Sequence, residues 1–242
     1  KHVASQGYKL LLCVSNHNKK KELEYFSMLK GNKVAGIILA SRTQGLLDEL
    51  NFDCSIVTID RQISSNVPSV CSDNYGGGVM AAEHLIEKGC RNPAYFSGSP
   101  TLDMDANKRF VGFNDALAKY GIKPQVLELS EEQFFSMDYM KAITGFLRRH
   151  PDIDGAFASN DVIASQIIKY CKRHDIAVPG QLKIVGYDDI DLAALYDPAI
   201  TTIRQPIDDI CRYAVDTVIH HGEGIAPISV TFPVTLMKRE TT

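Results

Sequence analysis

The chain has 242 residues, 45% of them hydrophobic, which suits one large or two small α/β domains with a sizeable core. Its net charge of −3 argues against a nucleic-acid surface within the chain, because phosphate binding needs clustered Lys and Arg, and Lys19-Lys20-Lys21 is only a short run. No apolar stretch reaches the ~18 residues of a membrane span.

Residues 1–6 followed by Gly7 read as the end of a helix with its C-cap, so the chain reads as a fragment of a longer protein that lacks the opening strand of an α/β half. Residues 8–14 are an apolar run with a polar exit at Ser15, Asn16, His17 and Asn18, and read as a parallel strand. Leu23, Phe26 and Leu29 set a helical spacing over 20–29, and 35–40 is a second strand. A short helix over 46–50 precedes a third strand at 55–59 that ends in Asp60 and Arg61. Strand carboxyl ends are where open α/β sheets bind ligands, although an Asp-Arg pair there also suits a surface ion pair.

Residues 70–78 lead into a helix with Val79, Met80, Ala82, His84, Leu85 and Ile86, closed by Gly89, with Asp73 or Asn74 as N-cap. Gly76-Gly77-Gly78 could let backbone approach a phosphate, but without a phosphate-loop pattern close helix packing is the stronger reading. His84 has no ligand-spaced partner and reads as a packed histidine. Residues 94–97 form a fourth strand, and Gly98-Ser99-Pro100 then breaks the pattern.

The polar segment 101–108 carries Asp103 and Asp105. Arg109 opens a helix that runs to Tyr120 with Gly121 as C-cap; on spacing alone Arg109 reads as a helix-surface residue. Residues 126–129 form a strand, followed by a loop with Gln133, Phe134 and Phe135. A helix over 139–149 stops at Pro151, and a strand at 156–159 leads into a helix with Val162, Ile163, Ile167, Ile168 and Cys171, for which Asp161 is the expected N-cap.

Residues 183–185 read as a buried strand between Pro179 and Gly186 that presents Tyr187, Asp188 and Asp189 at its carboxyl end. The two carboxylates either cap the next helix or accept hydrogen bonds from a polar ligand. Beyond Pro206, Ile207, Ile210, Cys211, Ala214, Val215 and Val218 mark an amphipathic helix, and residues 229–234 alternate as an edge strand. None of the six cysteines forms a CxxC pair; Cys13, Cys71 and Cys211 read as small core residues, which favours a reducing cytoplasm.

Repeated strand–helix units mean parallel sheets with right-handed crossovers. The expected fold is α/β, with two doubly wound parallel-sheet subdomains joined by three crossings at 98–100, 204–206 and 222–227. Residues 1–98 and 205–224 would form one subdomain, and 99–204 with 225–242 the other.

Val178-Pro179, Ile184-Val185-Gly186-Tyr187-Asp188-Asp189 and Pro198, Thr201-Thr202-Ile203, Gln205-Pro206 together resemble the LacI/GalR family of bacterial transcription regulators, in its effector-binding core. Residues 36–39, Arg109-Phe110-Val111-Gly112-Phe113 and Ala158-Ser159-Asn160-Asp161 extend the resemblance over nearly the whole chain. It implies a periplasmic-binding-protein-like fold, a homodimer, and an N-terminal helix-turn-helix domain outside this chain that binds operator DNA. It also implies a small effector in an interdomain cleft, contacted by Asp60, Arg61, Asp73, Asp103, Asp105, Arg109, Gln133, Phe134, Asn160, Asp188 and Ile207. Carboxylates, amides and an arginine together suit the hydroxyls of a sugar.

The alternative is a transporter's periplasmic sugar-binding protein, which shares the architecture. An enzyme is the third option, but GxSxG, HExxH, Walker A and CxxC are all missing from the sequence, and no cofactor, metal or membrane partner is expected.

Overall fold

The computed structural model describes residues 1–16, 18–41, 43, 46, 54–63, 66–98, 104–220 and 228–242. They fall into two compact units, Lys1–Ser72 with Pro206–Phe232, and Asp73–Gln205 with Pro233–Thr242.

The first unit opens with α1 (His2–Ser5), closed by Gly7 at φ +78°. Helix α2 (Lys19–Gly31) starts at Asn18, whose side chain accepts from the Lys21 amide, and it buries Phe26. Strands β1 (Gly36–Leu39), β2 (Ser55–Ile59) and β3 (Ser69–Ser72) follow. The chain then enters the second unit with α3 (Asn74–Glu87), β4 (Pro93–Ser97), a 3-10 turn at Asp105–Asn107, α4 (Lys108–Ala118) and β5 (Gln125–Glu128). It continues through α5 (Glu131–Ser136), α6 (Met140–Arg149), β6 (Gly155–Ala158), α7 (Asp161–Arg173), β7 (Lys183–Asp188), α8 (Asp191–Leu195) and β8 (Thr201–Arg204). It returns to the first unit for α9 (Ile207–Ile219) and β9 (Val230–Phe232), and ends in the second unit with β10 (Thr235–Met237).

The first sheet has the order β1-β2-β3-β9, all parallel. The second has the order β10-β8-β7-β6-β4-β5, parallel except for β10, which lies antiparallel to β8. Each sheet is apolar on both faces, as parallel sheets must be when helices cover them. Along β4, Ala94 and Phe96 face one core with Ile143, Phe146, Ile163 and Ile167, while Tyr95 faces the other with Leu85, Phe113 and Phe157. In the first unit Val57 packs with Ile210, Ala214 and Val218 of α9, and its neighbour Ile56 packs on the side of Phe26 and Ile37. The period of two along each strand decides which helix it meets.

Two expected passages between the units move. The first lies after Ser72, not at 98–100, because β4 hydrogen-bonds to β5 and β6 and takes α3 with it into the second unit. The third lies between Phe232 and Pro233, not at 222–227. The single edge strand expected at 229–234 is two strands split by Pro233, β9 pairing with β3 and β10 with β8. The passage at Gln205–Pro206 stands where the motif placed it.

Residues 8–14 form no strand: Tyr8, Leu10, Leu11, Leu12 and Val14 are exposed and have no ladder partner among the described residues. The expected helix at 46–50 lies outside the described residues except for the buried Leu46. The segment at 131–136 is helical where a loop was expected. None of the six cysteines forms a disulfide; Cys90 and Cys171 are the buried ones, whereas Cys211, expected in the core, is exposed and Cys13 and Cys71 are partly exposed.

Candidate functional site

The second unit gathers its polar side chains at one edge of its sheet. Ser159 and Asn160 follow β6, Asp188 ends β7 and Gln205 follows β8, so all four sit at carboxyl ends of adjacent parallel strands. The strand order reverses between β4 and β6, the switch point at which open α/β sheets bind ligands. Helices α3 and α4 bring Asn74 and Arg109 in their first turns.

Arg109 is pinned. It is 7% exposed. Its Nε donates to Asn74 Oδ1 at 2.7 Å and its Nη1 to the Ser159 carbonyl at 2.6 Å. Its guanidinium lies 3.5 Å from the centroid of the Tyr187 ring, and Asp188 Oδ1 is 3.5 Å from Nη1. A planar, permanently charged fork held on an aromatic face keeps its orientation before any ligand arrives. The Asn74 amide nitrogen donates in turn to Asp105 Oδ2 at 3.1 Å, and Asp105 also pairs with Lys108.

The glycines make this arrangement possible by packing. A Cβ on Gly78 would run into the Arg109 carbonyl, one on Gly112 into the Tyr75 carbonyl, and one on Gly77 into the Tyr187 ring. Two of the three glycines in the run therefore serve helix and ring contact, as the sequence indicated, and not a phosphate cradle.

Asp188 and Asp189 have φ of +102° and +54°, a left-handed pair costly for side chains other than glycine. The N-cap of helix α8 is Ile190, with no side-chain cap, so neither carboxylate serves as its cap. Asp189 is held between Arg204 Nε and Arg239 Nη2, each at 2.6 Å. Asp188 accepts from Gln205 Nε2 at 2.7 Å and otherwise faces Arg109. Burial raises the Asp188 carboxyl above the usual carboxylate range, opposed by Arg109 and by the Gln205 hydrogen bond. Asp161, behind this turn, is 2% exposed and accepts from Thr202 Oγ1 at 2.6 Å and from the Ile190 amide at 3.0 Å. Burial pushes it up to about 7; the two hydrogen bonds oppose this, and Asp188 and Asp189 add to it. The cluster offers carboxylate acceptors beside amide and guanidinium donors, which is the complement of a hydroxyl-rich ligand.

The expected residues divide as follows. Asp105, Arg109, Asn160 and Asp188 fall within or beside this cluster. Asn160 and Asp161 exchange roles: Asn160 Oδ1 caps α7 through the Ile163 amide at 2.8 Å, leaving only its amino end to face a ligand, and Asp161 points inward. Asp73 caps α3 through the Gly76 amide. Gln133 is engaged in a capping box with Ser130. Phe134 packs over Gly98 at the end of β4 and edge-on to Phe135. Asp60, Arg61 and Ile207 belong to the first unit: Asp60 has φ +59° after β2, Arg61 is buried, and Ile207 opens α9 half-exposed. Asp103 lies outside the described residues. Sequence reasoning missed Asn74, Tyr187 and Gln205 as members of the cluster, although Tyr187 and Gln205 stand in the motifs that flank Asp188. His84 is buried and bonded to Thr242 Oγ1 at 2.9 Å, a packed histidine.

Doubly wound units with polar groups at the strand ends, joined by a chain that passes three times between them, define a periplasmic-binding-protein-like ligand-binding core. Residues 82–242 match the family described as periplasmic binding protein-like domain. The chain is 34% identical to the sucrose operon repressor of Streptococcus mutans over 97% of its own length and 72% of that protein. It is 31% identical to the ribose operon repressor of Halalkalibacterium halodurans, over 99% of this chain and 72% of that one. Among solved structures it resembles a periplasmic binding protein/LacI transcriptional regulator from Alkaliphilus metalliredigens complexed with D-xylulofuranose, with 30% identity and a TM-score of 0.87 over 100% of this chain and 90% of that one. The lac repressor dimer bound to operator shares the fold at 18% identity and a TM-score of 0.87, over 100% of this chain and 74% of that one. The chain belongs to the LacI/GalR family of transcription regulators.

Proposed function

We propose that this chain is the effector-binding and dimerisation core of a sugar-responsive repressor, and that its effector is a small neutral sugar held through hydroxyls by Arg109, Asp188, Asn160 and Asp105. The observation that carries the reading is the Arg109–Asp188 pair: an arginine fixed on Tyr187 beside a carboxylate that caps no helix. Fixed donors and acceptors side by side discriminate hydroxyl patterns, because a ligand lacking a partner leaves a buried polar group unpaired. Effector binding would then control operator binding by the helix-turn-helix domain of the full-length protein. The relatives named as sucrose and ribose operon repressors support this over a transporter's binding protein and over an enzyme, and they support a cytoplasmic location. No helix among the described residues is long and apolar enough to cross a membrane. A homodimer fits the exposed leucines of α8, Leu192 and Leu195, which have no polar function.

The test is a thermal-shift screen of neutral sugars, including sucrose, D-ribose and D-xylulose, on wild type and Arg109→Ala. A sugar that raises the melting temperature of wild type but not of the variant supports the reading. Equal shifts in both would place the effector elsewhere.

A further inference from the structure

Three anchors converge on the left-handed turn that presents Asp188. Two are charge and amide contacts: Asp189 between Arg204 and Arg239, and Asp188 on Gln205. The third is Asp161. It projects from the first turn of α7 against the backbone of β7, so closely that a Cβ on Gly186 would strike its Oδ1. One oxygen accepts the Thr202 hydroxyl of β8, and the other accepts the amide of Ile190, the first residue past the turn. A left-handed pair of non-glycine residues persists only where its surroundings over-determine it. Fixing Ile190 on one side, with β7 on the other, leaves the two aspartates no freedom to relax.

We infer that Asp161 is a positioning residue of the effector site: by holding the Ile190 amide and the Thr202 hydroxyl it locks the Asp188–Asp189 turn and so aims Asp188 at Arg109. The inference rests on the reading that Asp188 and Arg109 bind the effector. It also gives the site a dependence on pH. An ionised Asp161 accepts both bonds; a protonated one keeps both only if Thr202 turns its hydroxyl to accept. The charged groups facing Asp161 are Asp188 and Asp189 at the end of β7, which disfavour its ionisation. Arg204 at the end of β8 and Arg239 after β10 are engaged by Asp189, and Arg109 of α4 lies on Asp188, so these cations act on the two other carboxylates. Asp161 therefore takes up its proton around neutrality and loosens the turn as it does.

The experiment compares wild type with Asp161→Ala and Asp161→Asn. The asparagine can still accept from Ile190 while donating to Thr202 Oγ1, so it is the conservative rescue. The first readout needs no ligand: amide exchange of Ile190 by NMR, relative to Ile184 within β7. The alanine variant should lose about tenfold or more of the Ile190 protection with Ile184 unchanged, and the asparagine variant should keep it. The second readout is the affinity for whichever of sucrose, D-ribose or D-xylulose shifts the wild type. Wild-type affinity should fall about threefold or more from about pH 8 to about pH 6, and the slope should be clearly shallower in Asp161→Asn, where Asp188 is the remaining raised carboxyl of the turn. Should the alanine variant not fold, Thr202→Val removes one of the two bonds and should give a partial loss of Ile190 protection.

Unchanged Ile190 protection in Asp161→Ala, or a loss shared equally by Ile184, would overturn the positioning role. So would a pH slope in Asp161→Asn as steep as that of wild type. If no probe sugar binds wild type, it is the effector reading that fails, and Ile190 exchange still decides whether Asp161 locks the turn.

Discussion

Asp188→Asn separates binding from stability at one atom. The amide keeps an acceptor for Gln205 Nε2, and asparagine tolerates the positive φ of +102° at least as well as aspartate. The change removes one charge. In the folded protein that charge disfavours burial, since the Asp188 carboxyl is raised above its ordinary value. It also loses an ion pair with Arg109 that is long, at 3.5 Å, with the Asp188 side chain 31% exposed, so the pair contributes about 0–1 kcal/mol. The two effects oppose each other, and the stability of the variant should lie within about 1 kcal/mol of wild type by urea unfolding. Binding is different. An effector hydroxyl that donates to a carboxylate makes a charge-assisted bond, and its replacement by an amide should cost ~1–3 kcal/mol, about ten- to a hundredfold in affinity by calorimetry. Arg109→Ala should lose both, because it strips partners from Asn74 and Ser159 as well and should cost the fold about 2–4 kcal/mol. An Asp188→Asn variant that binds sugar like wild type, or that loses more than ~2 kcal/mol of stability, would refute the reasoning.

Other outcomes follow from neighbouring features. Asp161, pushed up to about 7, holds its proton in the folded state over a range where the unfolded chain, near 3.8, has released it; this contribution to stability should decline as pH rises from about 4 to about 7, by at most about 1.4 kcal/mol per unit, and the decline should be absent in Asp161→Asn by denaturant titration at several pH values. Gly112→Ala would ordinarily strengthen a helix by about 1 kcal/mol, but its Cβ meets the Tyr75 carbonyl, so a net loss of about 1–3 kcal/mol is expected in thermal unfolding. Leu195→Asp on the exposed face of α8 should shift a dimer toward monomer in light scattering with little change in melting temperature.

The sequence made the parallel layers legible because strand and helix periods alternate cleanly, and the carboxyl ends of strands then pointed to Asp188 and Asn160. It misplaced the first passage between units for a local reason: Gly98-Ser99-Pro100 is the stronger breaker, whereas the real passage at Ser72–Asp73 runs straight from a strand into a capped helix with no glycine or proline at the junction. Asn160-Asp161 was read in reverse because either residue can cap; which one does depends on the backbone, with Asn160 extended at φ −157°. Residues 8–14 have the composition of a strand, but a strand is a property of a pair, and composition does not show the partner. Arg109 looked like a surface residue on spacing alone; only the packing of α3 on α4, glycine against carbonyl, brings its side chain under Asn74 and onto Tyr187.

The second unit is interrupted in sequence. Its sheet receives β8, the chain leaves for α9 and β9, and only then does it come back with β10 and Arg239. Arg239 supplies one of the two cations on Asp189 and donates to the Ile200 carbonyl. During synthesis, then, the turn beside Asp188 stays without that cation while about fifty further residues are translated, and it is set only when the return strand emerges. A ribosome-bound chain halted before Arg239 would hold most of the second unit's core, yet Asp189 would have Arg204 alone of these two cations.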